Sequence, residues 1–283
     1  MSYQHFSPPR WQILPPVVKN LLIINGIFYF ATVVFESKLG LDLTRYLALF
    51  FPASEYFFPF QYVTHLFMHG SLLHLFSNMF ALWMFGNILE NVWGPRRFLT
   101  YYLVTGIGAA LIHTLATWIE LEQMRNQLEF YLSSGDPLDF RELVMQYSRY
   151  LDPANSIRLN EFINAWMNMP QSEIMKQQAL EFGHDLLRLK QNIPTVGASG
   201  AVFGVLLAFG MLFPNTIIYI YFAIPMKAKW FVLLYGVFEL YSGIRSNPED
   251  NVAHFAHLGG MLFGYLLIRH WKRTSMHHHR DFF

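Results

Sequence analysis

Three short stretches set polar side chains inside otherwise apolar runs, and their residue types suit hydrolytic chemistry. One reads His69-Gly70-Ser71-Leu72-Leu73-His74-Leu75-Phe76-Ser77-Asn78, a second Gly197-Ala198-Ser199-Gly200, and a third Ala256-His257-Leu258-Gly259-Gly260. A serine hydroxyl within hydrogen-bond reach of an imidazole is the minimum for an activated nucleophile. Polar groups inside a membrane helix are costly, so they are functional candidates by default. His74 and Asn78, four residues apart, share one helix face. Gly200-x-x-x-Gly204 and Gly260-x-x-x-Gly264 have the small-residue spacing that lets helix backbones approach closely in a bilayer. If those two faces meet, Ser199 and His257 enter the contact from the same end.

The elements that would position these residues follow from the distribution of apolar side chains. Of 283 residues, 53% are hydrophobic, 18% aromatic and only 14% charged. Disorder is excluded, because it requires high charge and few aromatics. A net charge of +1 gives no electrostatic reason to expect nucleic acid as a partner. The absence of cysteine excludes disulfides, a thiol nucleophile and thiolate-bound metals. A bilayer core requires about 20 mostly apolar residues per helix. Candidate spans are Val17–Phe35, Leu72–Leu89, Phe98–Trp118, Gly200–Phe213, Trp230–Ser242 and Val252–Ile268, with Thr216–Pro225 as a connecting loop between Pro214 and Pro225. The first span reads as an uncleaved signal-anchor, with no apolar signal region or cleavage site before it.

With both termini cytoplasmic, the inner segments carry Arg10, Lys19, Arg96, Arg97, Lys227, Lys229, Arg269, Lys272, Arg273 and Arg280. The short outer loops then hold only Lys38, Arg45 and Arg245, the bias expected of that orientation. The second, fourth and sixth spans run parallel, and their polar residues lie at similar depth below the outer face. The fourth span is short, so its N-terminus would begin inside the protein, where unpaired backbone N–H groups could stabilise an oxyanion. The expected organisation is a short arm at 1–16, three spans at 17–118 and a polar, helical external insertion at 119–195. Three more spans follow at 196–270, then a basic tail at 271–283. The insertion carries eleven acidic against seven basic residues, and long external segments cross regardless of charge.

Together, the motif around Ser199, the motif around His257 and the histidine-rich second span ending at Asn78 resemble the rhomboid intramembrane serine proteases. Glu90 followed by Gly94-Pro95-Arg96-Arg97 is similar to a cytosolic turn of that family, and Glu239-Leu240-Tyr241-Ser242-Gly243 to bacterial members. The resemblance covers 17–118 and 194–270. It implies an all-α, six-span bundle that cuts transmembrane substrates near the outer face, without a cofactor, by a Ser-His dyad. By that resemblance Ser199 is the nucleophile and His257 the general base. His74, Asn78 and the Ser199 backbone N–H form the oxyanion hole, while Gly197, Gly200, Gly204, Gly260 and Gly264 serve packing at the site. It also implies the bilayer and membrane-protein substrates as partners, and a bacterial inner membrane as the location.

No acidic residue sits in the apolar start of the sixth span to orient His257; Asp250 and Glu239 are the nearest in sequence. His69 and His254 read as structural residues near the water interface, and His113 as bonded to a backbone group. Trp93, Trp118, Trp230 and Trp271 read as interfacial anchors, and His277–His279 as an inert tail. Two other readings compete: a non-catalytic member of the fold that binds membrane proteins, and a transporter lined by His69, His74, His254 and His257. The insertion reads either as a cover that filters substrates at the catalytic mouth or as a tolerated surface elaboration.

Overall fold

The computed structural model describes residues 11–147, 151, 153–220, 223–245 and 253–277. Arg10, Asp250, Val252, His278, His279 and Arg280, all named above, lie outside the described residues. The chain is mostly helical, and among the described residues three helices are long and apolar enough to cross a membrane. They are α1 (Pro16–Leu39), α2 (Leu72–Trp93) and the first 37 residues of α3 (Pro95–Ser134). Three helices of mixed polarity follow: α4 (Pro137–Tyr147), α5 (Pro153–Asn168) and α6 (Glu173–Gln191). Then come α7 (Ser199–Leu212), apolar but only 14 residues long, α8 (Ala228–Arg245) and α9 (His254–His277).

Helix starts are set by local chemistry. Proline occupies the first turn of both α1 and α3, where its missing N–H costs nothing. No side chain of the preceding residue caps α1; instead Glu90, from the end of α2, accepts hydrogen bonds from the Val17 and Val18 N–H groups at 2.9 and 2.8 Å. A carboxylate at a helix N-terminus answers both the orphan donors and the helix dipole, so α1 is keyed to α2. Ser71 caps α2 by accepting from the His74 N–H at 3.1 Å. Within α2 the residues Leu82–Gly86 form a π-helical turn.

α7 is the centre of the main core. Its Ala201, Val202, Val205, Leu206, Ala208 and Phe209 are buried against Phe85 and Leu82 of α2, Tyr101 and Tyr102 of α3, Val232 of α8 and Ile268 of α9. Glycines set the crossings. A methyl group on Gly260 would overlap the Gly200 carbonyl oxygen, and one on Gly200 would overlap the Ala109 side chain. Gly264 faces the Tyr101 hydroxyl, which donates to the Gly204 carbonyl at 2.8 Å. α7, α9 and α3 therefore meet nearly backbone to backbone, as small-residue packing allows. At the opposite end of the bundle from Ser199, the rings of Trp93 and Trp271 meet at 5.6 Å, and the Arg97 guanidinium lies 4.3 Å from the Trp271 ring.

The arrangement of elements departs from the sequence expectations in two places. The segment expected as a loop at Thr216–Pro225 holds an antiparallel hairpin, β1 (Ile217–Ile220) paired with β2 (Ile224–Lys227), with Ile217 opposite Lys227 and Ile220 opposite Ile224. Its first strand is a run of isoleucine and tyrosine, residues that favour a pleated surface, and the hairpin is an exception to an all-α architecture. The third helix, expected to end at Trp118, continues to Ser134 and stops at Gly135, whose φ of 64° lies in the left-handed region. Its second half belongs to a separate core, where Leu121, Met124 and Leu128 pack against Phe140, Leu143, Leu159, Ile163, Trp166, Ala179 and Leu186.

Candidate active site

The segment leading into α7 is pinned from three sides. Leu49 and Thr195 exchange backbone hydrogen bonds at 2.9 and 2.8 Å, and His113 Nε2 lies 2.8 Å from the Thr195 hydroxyl. The Gly197 N–H donates to the His65 carbonyl at 3.0 Å. His113 thus bonds a side chain rather than the expected backbone group. Gly197 has φ 125°, a conformation that side chains disfavour. A Cβ there would also stand 2.8–2.9 Å from the His74 ring and 3.7 Å from Ser199 Oγ, so this glycine is the space in which His74 comes alongside the serine.

Ser199 opens α7 and is half-buried. Its hydroxyl lies 2.8 Å from Nε2 of His257, one turn into α9 and 8% exposed. Phe203, one turn beyond Ser199, stacks on the His257 ring at 4.0 Å with 7° between the planes. Asn78 is buried, and its amide nitrogen has no hydrogen-bond partner among the described residues. His74 is half-buried, with His69 edge-on to it at 5.1 Å. His69 is buried, at 5% exposure.

Two further residues adjoin this site, one that sequence reasoning did not single out and one that it named only as an acid near His257 in sequence. Phe203 was legible only as the residue one turn after Ser199. Glu239 of α8, 3% exposed, places Oε2 at 2.9 Å from His257 Nδ1 and 2.6 Å from His254 Nδ1. His254 is accordingly buried and engaged. Glu239, His254 and His257 offer three ligand atoms within 4.8 Å of one another, a set that could hold a divalent metal. Their contacts at 2.6 and 2.9 Å are hydrogen-bond distances; ligands about 2.0 Å from a tetrahedral zinc would stand further apart.

A hydroxyl against a lone imidazole nitrogen, beside a helix start and an unpaired buried amide, is an arrangement that can activate an oxygen nucleophile. A model of the Rhomboid domain matches residues 58–119 and 175–272, more than half of the chain. The chain belongs to the rhomboid family. The rhomboid match is interrupted from 120 to 174, the stretch holding the second half of α3, α4 and α5, and it resumes within α6. An uncharacterized mitochondrial rhomboid protein of Schizosaccharomyces pombe is 25% identical over 96% of this chain and 68% of its own length. The mitochondrial rhomboid-like protein 12 of Arabidopsis thaliana is 24% identical over 70% of this chain and 42% of its own. The rhomboid protease AarA of Providencia stuartii is 29% identical over 36% of this chain and 37% of its own. The chain thus spans well under half the length of the latter two relatives.

Proposed function

We propose that this rhomboid protein is an intramembrane serine endopeptidase with Ser199 as nucleophile and His257 as general base. The observation that carries the reading is the 2.8 Å contact between Ser199 Oγ and His257 Nε2 at the half-buried start of α7. Family membership supports it, as does the name of the Providencia relative. In this reading a transmembrane substrate unwinds beside the enzyme and exposes a peptide bond. Ser199 Oγ attacks the carbonyl carbon while its proton passes to His257 Nε2. The tetrahedral oxyanion is held by the Ser199 N–H at the helix start, by Asn78 and by His74. Collapse breaks the C–N bond as His257 returns the proton to the leaving amine. Water then attacks the acyl-enzyme, again deprotonated by His257, and the serine is regenerated.

The proposed topology has six spans, α1, α2, α3, α7, α8 and α9, with both termini cytoplasmic. It is supported by the common end at which α2, α7 and α9 carry His74, Ser199 and His257, and by the tryptophan and arginine cluster at the other end. Of the three relatives named above, two carry mitochondrial names and one is bacterial, so the reading keeps the bilayer and drops the bacterial inner membrane.

The test uses purified protein in liposomes with a single-span substrate and a fluorophosphonate probe. Ser199→Ala and His257→Ala are each expected to abolish cleavage, and Ser199→Ala to abolish labelling, with both variants still folded. Appreciable cleavage by Ser199→Ala protein overturns the assignment. Failure of the wild type to label favours a non-catalytic member of the fold.

A further inference from the structure

The carboxylate of Glu239 lies at the far side of the His257 ring from Ser199, and the two contacts of that ring fix each other. Nδ1 is 2.9 Å from Glu239 Oε2, and Nε2 is 2.8 Å from Ser199 Oγ. An ionised carboxylate only accepts hydrogen bonds. Facing it, Nδ1 must carry the ring proton, which leaves the Nε2 lone pair toward the serine hydroxyl. That is the tautomer a general base requires. His254 Nδ1, at 2.6 Å from the same Oε2, adds a second donor. A single oxygen can donate at most one proton, so it cannot serve as donor to both rings. With the carboxylate accepting from both, each of the three groups has its hydrogen bond. The acid is 3% exposed, and two charge-assisted hydrogen bonds offset part of the cost of burying it.

We propose that Glu239 is a positioning residue for His257, making the site a Ser199–His257–Glu239 triad in which His254 anchors the carboxylate. This rests on the serine-protease reading above. Glu239 touches no reacting atom. It acts through His257, holding the tautomer and the ring plane, and it stabilises the imidazolium that forms when the serine proton arrives. Phe203 closes one face of the ring at 4.0 Å, so rotation about the Cβ–Cγ bond is opposed by stacking as well as by hydrogen bonding. The third member comes from α8, so activity requires that α8 and α9 be packed, whereas a dyad would require only α7 and α9.

The experiment compares wild type, Ser199→Ala and Glu239→Gln in liposomes with the same substrate and probe. Glutamine keeps the size of the side chain but can donate to Nδ1, which favours the opposite tautomer. The expected result is a kcat loss of about 10²- to 10⁴-fold for Glu239→Gln, with KM within about threefold of wild type. Fluorophosphonate labelling slows in parallel. A Glu239→Gln enzyme that is folded and retains kcat within about threefold overturns the triad while leaving the Ser199–His257 reading intact. A wild type that neither cleaves nor labels overturns both. Should Glu239→Gln fail to fold, nitrogen-15 histidine spectra of the wild type decide. The triad requires His257 protonated at Nδ1, with a downfield proton that moves when Ser199 is phosphonylated. A ring protonated at Nε2 instead overturns it.

Discussion

Asn78 carries a buried amide nitrogen with no partner among the described residues. Leaving such a group unsatisfied costs about 1–3 kcal/mol, a cost that folding alone gives no reason to bear. As an oxyanion donor, it is held ready for a negative charge that exists only during the reaction. Asn78→Ala is therefore expected to lower kcat by about 10²- to 10³-fold. Its unfolding midpoint should hold or rise, because the alanine removes an orphaned polar group. A fall in midpoint matching the loss of activity would argue that Asn78 is a packing residue instead. Ser199, His257, His74 and Asn78 were legible because each sits in an apolar run where a polar side chain is anomalous. Glu239 was legible only as one of two acids near His257 in sequence, because its meeting with His257 depends on how α8 lies against α9. Nothing in the local pattern around Glu239-Leu240-Tyr241 encodes that crossing.

At the scale of elements, the glycine spacing on α7 and α9 was readable in advance, and the structure gives it a mechanical meaning. The Gly260 Cα faces the Gly200 carbonyl with no room for a side chain. Gly260→Ala must push the two helices apart or bend one of them, which costs about 1–3 kcal/mol as overpacking. The expected outcome is a lower thermal midpoint together with loss of Ser199 labelling, since Ser199 and His257 are carried by the same two helices. Normal labelling at a lowered midpoint would show that the contact serves stability alone. The extent of α3 was not readable, for a physical reason. Hydropathy changes at Trp118 because the side chains change their surroundings, whereas backbone hydrogen bonding continues until a breaker arrives, and the first one is Gly135. The hairpin after α7 was hidden by its brackets. Proline at 214 and 225 reads as loop punctuation, yet Pro225 is tolerated in a strand that has no second neighbour among the described residues.

For the whole molecule, the stretch that interrupts the rhomboid match is more than a long loop, since it helps to enclose a core of its own. Trp166 is 1% exposed at its centre, and truncation of such a side chain costs about 3–5 kcal/mol. Trp166→Ala is expected to raise hydrogen–deuterium exchange across α4, α5 and α6 while α7 and α9 keep their protection. Equal loosening of both regions would mean that the two cores fold as one unit. Cleavage by this variant then reports what the appended core contributes. Unchanged rates and substrate range would mark it as a tolerated elaboration, and a changed range as a filter.

The two cores are joined by a helix without a joint. At 1.5 Å per residue, the 40 residues of α3 make a rod of about 60 Å, twice the roughly 30 Å thickness of a hydrocarbon layer. Between Gly108 and Gly135 it holds neither proline nor glycine, so that stretch offers no residue at which the appended core would hinge. The same rod carries Ala109 against Gly200 and Ile112 against Gly259. A load applied to the far end is transmitted as tilt or torque to the helices bearing Ser199 and His257, with no slack between them.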